Sequence, residues 1–192
     1  MRIKMKTCIA ALAVSLVLMT SLTASVQDLR LVQAARARDS AAVAALLKQH
    51  ADANAAQPDG ATALHWAAHW DDRPTADLLI RAGAAVDAAN IYGVTPLWLA
   101  SVNGSAAMVE KLIKAGARPN TALPSGETVL MAASCTGSIE IVNILLAAGA
   151  DINAKESARG QTALMWAVAE RHVAVVPAEA APTASGEVNS MT

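Results

Sequence analysis

Four octets of one pattern recur along the 192-residue chain: GATALHWA from Gly60, GVTPLWLA from Gly93, GETVLMAA from Gly126 and GQTALMWA from Gly160. The first three glycines are 33 residues apart and the fourth follows after 34, which places the extra residue in KESARG. A fixed period of this length signals a stacked array, in which each repeat is one supersecondary unit that cannot bury its apolar face alone. This constrains the fold more than any bulk property does.

Local chemistry gives each unit two helices. Thr62, Thr95, Thr128 and Thr162 each stand two residues past a repeat glycine and open an apolar stretch, the place of an N-cap. There a hydroxyl accepts a free backbone N–H of the first turn and contributes ~1 kcal/mol. Pro96 after Thr95 suits the first helical position. A second helix is expected about ten residues on, where Asp39, Asp72, Ser105 and Ser138 precede AAVAALLKQ, RPTADLLIRA, AAMVEKLIKA and IEIVNILLAA. Gly83, Gly116 and Gly149 end these helices, since a C-terminal stop favours a left-handed residue, and His50 holds that place in the first unit. Stretches such as Val142 to Leu146 have no apolar partner unless the next pair stacks on them. Ala34/Ala35, Ala67/Ala68 and Ala132/Ala133 keep side chains small where helix axes must approach. With no Phe and 3% aromatic residues, packing through Ala and Leu is expected, not a core of rings.

The octets resemble those of the ankyrin repeats, whose pattern G-x-T-P-L-H-x-A-A is best matched by GATALHWAA and GVTPLWLA, with AGA and an Asn or Asp shortly after. The resemblance covers Leu29 to Val176, taking in a degenerate first unit, three complete units and a broken fifth. It implies an all-α solenoid of stacked antiparallel helix pairs joined by β-turn loops that project to one side. It also implies a protein-binding scaffold. Two departures stand out. The family's His after Leu occurs once, as His65, and gives way to Trp98, Met131 and Met165, so its hydrogen bonding to the loop is expected to be missing in the later units. The inter-helix glycine survives as Gly104 and Gly137 but is replaced by Asp71 and Arg171, where a positive φ costs strain.

The chain begins with Arg2, Lys4 and Lys6 ahead of the apolar run Cys8 to Met19, followed by polar TSLTAS. Residues 1–25 are therefore expected to be a cleaved signal peptide, with the mature chain periplasmic or secreted; the competing reading is a buried N-terminal helix. The run is short for a membrane span, which needs about 20 apolar residues, and no span is expected after cleavage. Removing the three leader cations leaves 12 basic against 16 acidic residues. A net charge of about −4 without a clustered basic face disfavours nucleic acid. Residues 26–176 form the repeat domain in this reading. Residues 177–192 read as a disordered tail, because Pro177 interrupts the last helix where a Leu-Leu pair is expected and Ala, Pro, Ser and Thr follow. The uncapped last unit then exposes apolar surface, and self-association through it is a possible consequence.

Candidate chemistry is sparse. His65 and His69 lie four apart on one helix, a spacing that lets two imidazoles share a metal, but no third ligand is set by the sequence. Cys135 could act as a nucleophile if a His stood beside it; His69 lies two stacking steps away and His172 one, both too far. No phosphate loop, nucleophile elbow or metalloprotease motif is present. Neither catalysis nor a cofactor is expected, and a metal or thiol enzyme at His65/His69 or Cys135 is the weaker alternative. By resemblance, the residues facing a partner protein are the loop tips and the exposed side of the first helices: Arg36, Asp59, His69, Trp70, Tyr92, Val94, Val102, Glu127, Cys135, Arg159, Gln161 and Glu170. Trp70, Tyr92 and Arg159 stand out as large amphipathic or guanidinium groups. Trp70 serves either as an anchor or as packing against the next unit, whereas Trp66, Trp98 and Trp166 lie nearer the packed side.

Overall fold

The computed structural model describes residues 29–172; the expected signal peptide, the end of the fifth unit and the tail lie outside them. The described chain begins in helix α1, residues 29–36. There follow α2 (Ser40–Lys48), α3 (Ala63–His69), α4 (Arg73–Arg81), α5 (Pro96–Val102), α6 (Ala106–Lys114), α7 (Val129–Thr136), α8 (Ile139–Ala147) and α9 (Ala163–Ala169). Within units α3 packs on α4, α5 on α6 and α7 on α8; between units α3, α5, α7 and α9 stack in sequence, α2 meets α4 and α6 meets α8. The fold is an all-helical repeat solenoid.

The core repeats with the sequence. Leu64, Leu97 and Leu130 form one buried row at the 33-residue spacing, and Leu79, Leu112 and Leu145 form another in the second helices. Ala35, Ala67, Ala68 and Ala133 are fully buried between the first helices, where a larger side chain would hold the axes apart.

Caps act unevenly. Asp39 accepts from Ala42 N–H at 2.8 Å and Asp72 from Thr75 N–H at 3.1 Å, while Ser105 and Ser138 do the same for Met108 and Ile141 at 3.4 Å. Thr95 and Thr128 accept from Trp98 and Met131 N–H at 3.2 and 3.3 Å. All four threonines occupy the N-cap position, but the cap bond expected at Thr62 and Thr162 is absent. At Thr62 the hydroxyl lies 2.9 Å from His65 Nδ1 instead, because the ring reaches back over the cap.

The second helices stop as expected. Gly83, Gly116 and Gly149 take φ of 86, 95 and 88°, and His50 adopts 61°. The residue after each closes the turn onto a buried or half-buried leucine carbonyl, as in Ala84 N–H to Leu79 O at 3.0 Å. Asp71 and Arg171 sit at φ 51 and 62°, as expected, and Arg38 at 61° belongs with them. The Asp71 carboxylate accepts the Ser105 hydroxyl of the next unit.

Candidate partner-binding face

The loops before the first helices are five-residue turns at 57–61, 90–94 and 123–127, each closed by an N–H to carbonyl bond between its ends, for example Asn90 to Val94 at 3.0 Å. The fourth is one residue longer: Glu156 N–H reaches Gln161 O at 3.0 Å, which confirms the insertion in KESARG. The Glu156 carboxylate, 6% exposed, fills this enlarged turn. It accepts from Ala158 N–H at 2.5 Å, Arg159 N–H at 2.7 Å and Gln161 N–H at 3.1 Å. Backbone donors, Gln161 first, hold its carboxyl below the usual range despite burial. Two isolated antiparallel bridges, Ala56 with Thr62 and Ala122 with Thr128, stiffen the bases of the first and third loops.

Adjacent loops are joined at tip and base. Ile91 N–H donates to Asp59 O at 2.9 Å and Ser157 N–H to Ser125 O at 2.8 Å. Asn54 donates to Gly83 O at 3.2 Å and accepts from Ala85 N–H at 2.7 Å. Asn120 repeats that clamp on Gly149 O at 2.9 Å and Asp151 N–H at 2.7 Å. Asp87, between them in the series, accepts from Arg118 N–H and Nε, both at 2.9 Å. These contacts hold the loops together in one row.

His65 is 2% exposed and spent on this frame. Its Nε2 lies 3.0 Å from Val94 O of the next loop, which can only accept, so Nε2 carries the proton. Nδ1 then accepts from Thr62 N–H at 3.1 Å. Burial lowers its pKa from 6.5, against the opposing pull of the Val94 carbonyl and Asp59. With both ring nitrogens engaged, His65 has no lone pair to share with His69, which is exposed. Among the described residues no group of three or more His, Cys, Asp or Glu is placed to hold a metal ion. The loop hydrogen bonding expected to vanish with His65 persists in part: Met131 Sδ accepts from Thr128 N–H at 3.4 Å, because a thioether of similar reach replaces Nδ1.

Cys135 is half-buried. Burial raises its thiol pKa above 9.0, and the carboxylates of Glu170 and Glu127 raise it further. His172 comes nearer than the stacking estimate allowed, its Nε2 2.9 Å from Cys135 O, because the ring lies over Gly137, where an added Cβ would meet it at 2.6 Å. That bond ends on the backbone, not on sulfur.

The remaining expected surface residues are placed as follows. Arg36, at the end of α1, is exposed with its guanidinium 5.0 Å from the Trp66 ring centroid. Trp70, the C-cap of α3, is 41% exposed, Tyr92 at a loop tip 65% and Val102 at the end of α5 49%. Trp66, Trp98 and Trp166 are half-buried against the core. Asp59, Val94, Glu127 and Gln161 are half-buried, whereas Arg159 and Glu170 are exposed. Ile91, 67% exposed beside Tyr92, was not anticipated; its place in the turn before a repeat glycine is the signal that marks it. Glu156 was also missed, since nothing local shows a carboxylate turning into its own loop.

Among the described residues no helix is long and apolar enough to cross a membrane. A search of curated proteins found no match to the chain. The family described as ankyrin repeats (three copies) matches residues 31–122 and again residues 109–178, well over half of the sequence. Together with the paired helices, the projecting loops and the 33-residue register, this match shows that the chain belongs to the ankyrin-repeat family.

Proposed function

We propose that the chain is a non-catalytic scaffold that binds another protein in the groove between its loops and its first helices. Ankyrin repeats are in general protein-interaction scaffolds. The observation that carries the reading here is the exposure of Trp70, Tyr92 and Val102 on a rigid frame. Large amphipathic side chains held in fixed positions bind at little entropic cost. Support against chemistry comes from the same face: both His65 nitrogens are engaged, and the Cys135 thiol is held protonated where a nucleophile needs a thiolate. The export reading, resting on residues 1–25, puts the partner in the periplasm or outside the cell. Replacing Trp70, Tyr92 and Val102 singly by Ala in a pull-down from periplasmic extract tests the face. Loss of the recovered partner with at least one variant is expected, and unchanged recovery with all three would end the proposal.

A second reading, self-association, is favoured by the last described helix. Met165 and Val168 are 52% and 60% exposed, whereas Met131 and Ser134, their counterparts one unit earlier, are fully buried. Light scattering distinguishes it: a monomer at high concentration removes this reading and leaves the first intact.

A further inference from the structure

We infer that the N-terminal end of the groove anchors a carboxylate-bearing segment of the partner, an Asp or Glu followed by a large apolar side chain. The inference rests on the groove reading above and adds the partner's chemistry. Arg36, His69, Val102 and Cys135 recur at 33-residue intervals near the ends of α1, α3, α5 and α7, so they form one row along the helical wall. The row is not uniform in charge.

At its first end, Arg36 stacks over Trp66 at 5.0 Å. His69 meets Trp66 edge-on with centroids 5.9 Å apart and Trp70 at 4.5 Å, so the four side chains are contiguous. Stacking on an aromatic face orients a guanidinium without using its N–H edge. No carboxylate of the described residues pairs with Arg36, and unlike Arg30, Arg38 and Arg81, which also lack an ion pair among those residues, Arg36 lies over an aromatic ring. A guanidinium held over a ring can take a carboxylate through two parallel hydrogen bonds. Beside it, the exposed part of Trp70 and, one unit on, Val102 offer apolar surface. Asn103 Nδ2, at 2.6 Å from His69 O, fixes the spacing between those two units.

At the other end of the row the sign reverses, with Glu170 and Glu127 both acting on Cys135. An acidic segment is repelled there and drawn to Arg36. On the loop wall the Asp59 carboxylate turns back on Ala61 N–H at 3.0 Å.

The test uses the full chain and three fluorescein-labelled nonapeptides in a Ser/Gly background. One carries Asp-Glu-Phe at its centre, one Lys-Lys-Phe and one Asp-Glu-Ala, each titrated by fluorescence anisotropy at low salt. The Asp-Glu-Phe peptide is expected to bind about tenfold more tightly than either of the others, the scale of one interface anchor. Arg36→Glu should invert the order of the Asp-Glu-Phe and Lys-Lys-Phe peptides, an outcome that misfolding cannot produce, while Trp70→Ala should weaken both. Equal affinities, an order unchanged in Arg36→Glu, or no binding of any peptide at millimolar concentration would overturn the inference. Sensitivity to Trp70→Ala without sensitivity to charge would overturn the anchor yet leave the groove in use; a partner recovered equally by all the alanine variants would remove the groove reading itself.

Discussion

His65 is the residue at which one substitution best separates local from inter-unit stability. Its Nδ1 accepts the buried Thr62 N–H and its Nε2 donates to Val94 O in the next loop. His65→Leu fills a similar volume but strands the Thr62 amide, at about 1–3 kcal/mol, and deletes the bond to Val94, at about 0.5–1.5 kcal/mol. Val94 O is not stranded, because it still accepts from Asn90 N–H at 3.0 Å. The sum is about 3 kcal/mol, which in a domain of this size lowers the thermal midpoint by roughly 10 °C. His65→Met should recover part of the loss, since Met131 shows that a thioether can receive the equivalent amide. The sign of the pH dependence follows from the lowered pKa. The folded state disfavours the imidazolium, so this contribution is complete above about 6.5, the unfolded value, and fades as the pH falls through it. Thermal unfolding followed by circular dichroism at pH 8 and pH 5 reads both effects, and the gap between wild type and His65→Leu should narrow at pH 5. A leucine variant as stable as wild type at pH 8, or a gap that does not change with pH, would refute the reasoning.

Other residues give separate tests. Asn120→Ala removes both arms of the clamp on Gly149 O and Asp151 N–H and should cost about 1–2 kcal/mol in urea unfolding, the low end for two bonds at an exposed site. Glu156 has its pKa lowered in the fold, so its contribution is complete above about 4.5 and lost as the pH drops through the folded value. Glu156→Gln should speed amide exchange at Ala158, Arg159 and Gln161 while leaving the loop at 90–94 unchanged; equal protection at all three would count against the carboxylate's role. Cys135 should react with a disulfide reagent more slowly than a free thiol at pH 8, because burial and two carboxylates disfavour the thiolate; a faster reaction, mapped to Cys135 by mass spectrometry, would contradict that environment.

Much of the frame was legible in the residues because its causes are local or periodic. The capping Asp and Ser residues, the left-handed Gly83, Gly116 and Gly149 and the positive φ at Asp71 and Arg171 each depend on a few neighbouring residues and their conformational preferences. The extra residue in KESARG was found by counting. The face was less legible. Trp66 and Trp70 are four apart on one helical turn and alike in chemistry, yet one is half-buried under Arg36 and the other 41% exposed. The repeat register placed Trp66 nearer the packed side, but the fate of Trp70 is decided only by the stacking of the units.

A 33-residue period with caps at matching places already requires a stack of helix pairs, because it leaves each pair an unburied face that only the next pair can cover. The tertiary structure alone decided which polar groups that stacking consumes and which it leaves outside. His65 closes on a loop 29 residues away, and His172 reaches the Cys135 carbonyl across 37. Glu156 folds into its own turn, and Arg36 lies over the Trp66 ring of the following unit. Such contacts join residues that come together only once the units have packed, so no local preference records them.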